Sequence, residues 1–208
     1  MGIGVFVMVD DELAGLLHVQ DVVRPEAKAL VRMLIGKGMQ LSLLTGDSEP
    51  AAHGLRRTLC GEDVEKMALK AGMLPEDKLE YVRQLRASGE RVLMLGDGVN
   101  DAPALAEADV SIAMGSGADA SMECSDVVLM GDDLMRVHWA MRLASETLLT
   151  IRQNLAISLV YNLALVPVAM AAMVTPVFAA LAMPLSSLLV IGNAILIRYR
   201  MAGERNGG

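Results

Sequence analysis

The sequence predicts an α/β domain on a doubly wound parallel sheet, followed by a transmembrane hairpin of two helices. Three observations lead there. Short apolar runs alternate with helix-period segments over roughly the first 150 residues, which implies right-handed crossovers between parallel strands. Charge is divided unevenly. The 208 residues carry −7 overall, yet beyond residue 150 the one acidic residue is Glu204, against Arg152, Arg198, Arg200 and Arg205. Finally, residues 154–173 and 174–197 contain no charge, and each stretch can cross a hydrocarbon core of roughly 30 Å.

Residues 2–9 and 13–19 read as strands around the turn-forming Asp10-Asp11-Glu12. Pro25 suits the first turn of a helix reaching Lys37, with Ala27, Leu30, Val31 and Leu34 on one face. Residues 39–44 form a strand ending at Thr45-Gly46-Asp47, and Ser48 is placed to cap a helix that ends near Leu59. Pro75 opens the next helix, apolar at Leu79, Val82 and Leu85 and stopped by Gly89. A strand over 91–95 ends at Gly96-Asp97-Gly98; a short helix, strands over 109–114 and 126–130, and a long helix from about Asp132 follow. In parallel sheets the binding crevice lies at the carboxyl ends of the strands, where both Gly/Asp-rich turns fall.

The acidic balance argues against nucleic acid as a partner. The chain opens directly on strand-like sequence with no signal-type region. Cys60 and Cys124 are isolated and form no CxxC, which suits structural thiols in a reducing cytoplasm. His18, His53 and His138 lack ligand spacing, and the 16 methionines read first as core filler.

Residues 96–105, Gly-Asp-Gly-Val-Asn-Asp-Ala-Pro-Ala-Leu, carry the most chemistry. Asp97 and Asp101, four residues apart on a glycine loop after an apolar strand, make a hard oxygen site suited to Mg²⁺. Such an ion neutralises charge developing on a phosphoryl group. A GDG turn alone is common, because Asp and Gly dominate ordinary turns. The order of parts adds weight: Thr45 offers a hydroxyl to phosphoryl oxygens, and Lys78, early on a helix, offers a positive point charge.

Thr45-Gly46-Asp47, Pro75-Glu76-Asp77-Lys78 and the decapeptide 96–105 resemble, in that order, motifs of the haloacid-dehalogenase superfamily and within it of P-type ATPases. Asp21-Val22-Val23-Arg24-Pro25, Ala113-Met114-Gly115-Ser116-Gly117 and Asp126-Val127-Val128-Leu129 extend the resemblance over most of the chain. It implies a haloacid-dehalogenase-like fold, incomplete here. It also implies that Thr45, Gly46, Asp47 and Lys78 hold the phosphorylated site, that Asp97 and Asp101 bind Mg²⁺, that Asn100 completes the cluster, and that ATP is the phosphoryl donor. By the same likeness residues 1–20 end a nucleotide-binding domain and hinge. Residues 21–150 are the C-terminal part of a phosphorylation domain, 151–200 two transmembrane helices and 201–208 a flexible tail. The family's DKTGT nucleophile, TGE actuator motif and CPC membrane motif do not occur in the sequence. A fragment, or one half of a split pump, is therefore expected, inactive alone because covalent carboxyl-phosphate chemistry needs that Asp.

Tyr161-Asn162 lies in the first span and Met183-Pro184-Leu185-Ser186-Ser187 in the second, with Met183 and Ser187 on one helix face. Polar groups at membrane depth often mark an ion path, and a thioether favours Cu(I). YN followed by MxxSS resembles the copper(I) branch of heavy-metal P-type ATPases, whereas a zinc-type branch would show a carboxylate in the last span. The implied cargo is Cu⁺, taken through Tyr161, Asn162, Met183 and Ser187. The implied partners are the lipid bilayer, the remainder of the ATPase and a copper chaperone. Plainer roles stand beside these: Tyr161 and Asn162 as interhelical glue, Met183 as packing, Pro184 as a kink. The arginine flanks place both helix ends, and the acidic domain, on the cytoplasmic side of the cell membrane in a multi-pass arrangement. Competing readings are a membrane-tethered phosphatase of the same superfamily, a pump for zinc or cadmium, a non-catalytic module that joins an intact pump, and a buried hairpin in a soluble protein.

Overall fold

A computed structural model describes residues 3–19, 22–96, 99–115, 122–131, 133–171 and 175–205. It divides into two compact units, Met1–His138 and Trp139–Gly208.

The first unit opens with an antiparallel hairpin, β1 (Ile3–Val9) and β2 (Glu12–Val19), paired Val9 to Glu12 across a two-residue turn. Asp10 and Asp11 both take positive φ, 49° and 63°, the mirror-image turn that matches strand twist. Phe6, Met8, Leu13, Leu16 and Leu17 of this hairpin are more than half exposed. Next come α1 (Pro25–Gly36), β3 (Leu41–Leu44), α2 (Glu49–Cys60), β4 (Met67–Lys70), α3 (Pro75–Ala87), β5 (Leu93–Gly96), α4 (Ala102–Glu107), β6 (Val110–Met114) and β7 (Val127–Leu129). Single 3₁₀ turns cover Val64–Lys66 and Val99–Asp101.

Every pairing after the hairpin is parallel, as expected, but the strands form two ladders, β3-β4 and β5-β6-β7. β4 is an addition to the sequence reading: Met-Ala-Leu-Lys is short and has little β-branched or aromatic character. Helices α1 and α2 cover β3-β4 through Leu59, Cys60 and Met67, with Val23, Ala27, Val31, Leu41 and Leu43 packed against them. Helices α3 and α4 cover β5 through Val82, Met94, Ala104 and Leu105. Ser48 occupies the N-cap of α2 without a side-chain bond. Pro50 is the reason on one side, because it removes one of the two N–H groups a cap could reach.

The second unit consists of helices. The expected long helix and first span are one element, α5 (Met135–Met170), which carries Pro167 inside it. Among the described residues it is the helix long and apolar enough to cross a membrane, and none of its apolar window is buried. Helix α6 (Pro176–Arg205) follows with Pro184 inside it. At 1.5 Å per residue it is roughly 45 Å long. Leu155, Leu159, Leu163, Leu185, Leu188 and Ile191 face outward, more than half exposed. A buried hairpin of a soluble protein would hide such side chains. The tail expected from residue 201 is helical as far as Arg205, in keeping with the helix formers Met201, Ala202, Glu204 and Arg205. Residues 206–208 and Val174, expected in the interhelical turn, lie outside the described residues.

Candidate functional site

Glycine at position 96 shapes the candidate phosphoryl-transfer site. A Cβ there would meet Asp101 Cβ at 3.0 Å, Asp101 Oδ2 at 3.1 Å and Leu105 Cδ1 at 3.3 Å. Lacking one, the end of β5 lets the Asp101 carboxylate fold back over the strand terminus. The 3₁₀ turn Val99–Asp101 then runs into α4, whose Ala104 and Leu105 are fully buried and fix the turn's far end.

Lys78 comes to the same point from α3. Asp77 steadies the start of that helix by accepting the Leu74 N–H at 2.9 Å. Arg83 and Arg86 then clamp it to Glu107, and Arg86 to Asp109, at 3.1–3.3 Å. With α3 so placed, Lys78 Nζ donates to Asp101 Oδ1 at 2.7 Å, the two side chains being 13% and 15% exposed. Asp109 in turn accepts the Val92 N–H at 2.9 Å, the main reason its carboxyl lies below the usual range, with Arg86 adding to it. Asp126 is held low in the same way, by the backbone N–H and hydroxyl of Ser111.

Thr45 leaves β3 into a self-bonded turn. Its hydroxyl donates to Asp47 Oδ2 at 2.9 Å and accepts the Asp47 N–H at 3.1 Å. The turn is tied to the segment after β4, with Thr45 N–H on Lys70 O, Met73 N–H on Thr45 O and Gly72 N–H on Asp47 O. The structure therefore brings Lys78 together with Asp101, and Thr45 with Asp47, each pair at the end of a parallel strand. Gly46 sits between, with only the Met73 carbonyl near, at 3.4 Å from a Cβ. Asn100 is exposed in the 3₁₀ turn, and Asp97 lies outside the described residues. Among those residues no three His, Cys, Asp or Glu side chains gather as a metal site.

A cleft of about 240 Å³ opens beside Asp101, lined by Arg24, Leu95, Gly96, Met114 and Leu134. Arg24 was missed as a site residue; its place immediately before Pro25, ahead of a helix, was the available signal. Asp101, whose Oδ1 accepts from Lys78, offers carboxylate oxygen, a donor chemistry that fits Mg²⁺.

In the helical unit, Tyr161 and Ser186 line an open groove of about 460 Å³ with Ala156, Ile157, Val160 and Leu189. The Tyr161 hydroxyl is shielded from solvent and has no hydrogen-bond partner. Asn162 and Ser187 are exposed, and the Met183 side chain lies outside the described residues. Of the three expected copper ligands whose side chains are described, Tyr161 lines this groove, as does Ser186. Seven residues away on each helix, Asn193 Nδ2 donates to Asn154 Oδ1 at 2.9 Å and to Gln153 Oε1 at 3.2 Å. Cys60 is buried, and burial raises its thiol pKa; the S–H points at Met67 Sδ, 3.7 Å away. That is a packed thiol, as expected.

A family described as haloacid dehalogenase-like hydrolase matches residues 2–109. The mouse protein named copper-transporting ATPase 1 is 41% identical over 76% of this chain and 10% of its own length. A Mycobacterium tuberculosis protein named probable copper-exporting P-type ATPase V is 41% identical over 93% of this chain and 24% of its own. The crystal structure of a zinc-transporting PIB-type ATPase in its E2.Pi state superposes with a TM-score of 0.78 at 34% identity, over 94% of this chain and 31% of that one. The chain thus spans about a tenth to a third of the length of these heavy-metal P-type ATPases.

Proposed function

The chain belongs to the haloacid dehalogenase-like hydrolase family, and from that premise we propose that it is part of an ATP-driven copper(I) transporter. It supplies phosphoryl-transfer residues on the cytoplasmic side and two helices of the metal path in the cell membrane. The observation that carries this reading is the Lys78–Asp101 pair at the end of β5, in one polypeptide with outward-apolar helices that carry Tyr161 and Ser186 along one groove. Lys78 places a fixed positive charge, and Thr45 a hydroxyl, where phosphoryl oxygens would lie. Asp97 and Asp101 would hold Mg²⁺, which when bound neutralises charge on the transferring group. Lys78 holds the Asp101 carboxylate aimed between turnovers. The accepting carboxylate belongs to a DKTGT segment that this sequence does not contain. The chain alone is therefore inactive, and its partners are the rest of the pump and the bilayer.

Copper names among the relatives and the absence of any carboxylate from 154–197 support Cu(I) as cargo. The zinc-transporting structure supports a second reading, a pump for zinc or a related ion. Radiolabelled ATP tests the first part: the purified chain should form no acid-stable phosphoenzyme, and robust copper-stimulated labelling of the chain alone would overturn the proposal. Recombined with a polypeptide bearing the missing segments, labelling should respond to Cu(I) and not to Zn²⁺. The reverse response would establish the zinc reading instead.

A further inference from the structure

Three polar or groove-lining pairs join α5 to α6, and they recur at an interval of seven residues. Arg200 Nη1 lies 3.7 Å from Glu146 Oε2. Seven residues further into each helix, Asn193 donates both of its amide protons, to Gln153 and to Asn154. Seven further still, Tyr161 and Ser186 line one groove, with the Tyr161 hydroxyl unpartnered. Antiparallel helices that keep a seven-residue repeat present the same stripe to each other at every second turn. Glu146–Arg200 and Gln153–Asn193 share one register, Asn154–Asn193 and Tyr161–Ser186 the register one residue on, and Asn193 bridges the two.

The middle contact differs from the others in its chemistry. The Glu146–Arg200 pair is long and partly exposed, at 25% and 40%, and so fixes little. The Tyr161 hydroxyl has no hydrogen-bond partner, so it cannot set the alignment itself. Asn193, by contrast, uses both protons of one rigid carboxamide on two adjacent residues of the facing helix. A slide of one residue, or a rotation about either axis, would break at least one of these bonds. In an apolar setting such bonds give positional specificity even when their net stabilisation is small.

We propose that Asn193 is a positioning residue for the metal path: its double bond to Gln153 and Asn154 sets the register that holds the Tyr161 hydroxyl opposite Ser186, about 10 Å deeper along the helices. The inference rests on the copper-transporter reading only for what the groove does. The register itself is independent of metal. Ser186, which lines the groove, is the neighbouring oxygen donor that this register offers.

The test is a disulfide cross-link read without metal. In the full chain in lipid nanodiscs, with Cys124→Ser, the pair Ile157→Cys and Leu189→Cys is oxidised with iodine; both positions line the groove. The cross-link should form readily. Asn193→Leu should slow it about tenfold, the size expected for losing two interhelical bonds. Gln153→Leu with Asn154→Leu should reproduce that loss, and adding Asn193→Leu to this pair should slow it no further. Asn193→Gln, which keeps the carboxamide, should recover part of the rate. Unchanged cross-linking in Asn193→Leu, or additive losses in the combined variant, would overturn the proposal. Cu(I) binding by the recombined pump is measured separately with Tyr161→Phe. Its failure to change would count against the copper site and leave the register result standing.

Discussion

Replacing Lys78 by Met keeps the length of the side chain and strands one charge. Lys78 Nζ and Asp101 Oδ1 are 2.7 Å apart, with side chains only 13% and 15% exposed. Exposed pairs are worth about 0–1 kcal/mol, while breaking a buried pair costs about 3–5 because the remaining charge is uncompensated. Asp101 also borders Leu95, Met114 and Leu134, but the cleft includes Arg24 and admits water on one side, both of which soften the cost. The expected cost is thus about 2–3 kcal/mol, or about 30- to 150-fold in the opening equilibrium. A thiol placed in the adjacent core reads that equilibrium: Ala104 is fully buried beside Val82, Met94 and Leu105, so Ala104→Cys, with Cys124→Ser, labels only when the cluster opens. Labelling at residue 104, followed by peptide mass, should accelerate by that factor in Lys78→Met. The double variant Lys78→Met with Asp101→Asn should recover most of the loss, because no charge is left unpaired. Labelling of Lys78→Met within twofold of the parent would refute the view that this pair is both desolvated and coupled.

Two glycines should respond in opposite ways to alanine. A Cβ on Gly115 would run into the Leu129 carbonyl oxygen and crowd Gly131 N at 3.1 Å, so Gly115→Ala should cost about 3 kcal/mol by forcing β6 and β7 apart. Gly54, inside α2, has no heavy atom within 4 Å of that position, and Gly54→Ala should gain about 0.5–1 kcal/mol; thermal unfolding of both variants checks the contrast. A thiol reagent should modify exposed Cys124 at once and buried Cys60 only on unfolding, and equal rates would contradict the packing of α2 on β4. Asp109 and Asp126 have folded pKa values below their unfolded ones, so their stabilisation is present above about pH 4 and fades as pH falls through the depressed values. Unfolding midpoints should fall through that acid window, and less steeply in Asp126→Asn.

Much of this was legible because local chemistry and fold agree. Proline at helix starts, glycine after helix ends and apolar runs at β3, β5 and β6 located the elements within a few residues. The strand ends carrying Thr45 and Asp101 followed from topology alone. β4 was hidden because four residues without β-branching carry no periodic signal, and only its pairing to β3 makes it a strand. The division of the parallel strands into two ladders was hidden for another reason: edge and centre strands look alike in a short apolar run. The Lys78–Asp101 contact joins residues 23 apart that no periodicity links. In the helices the charge-free stretches were plain, whereas nothing in the sequence singled out Gln153, Asn154 and Asn193. Only their facing positions give them a role.

The most direct test of the central claim is phosphoenzyme formation in a pump recombined from this chain and a polypeptide carrying the missing DKTGT and CPC segments. Radiolabel from ATP should appear on that second polypeptide, only when this chain is present and only with Cu(I). It should fall by orders of magnitude when this chain carries Asp101→Asn, since charge stabilisation at the transferring group is worth several kcal/mol. Labelling of equal strength without this chain, or with its Asp101→Asn form, would contradict the account.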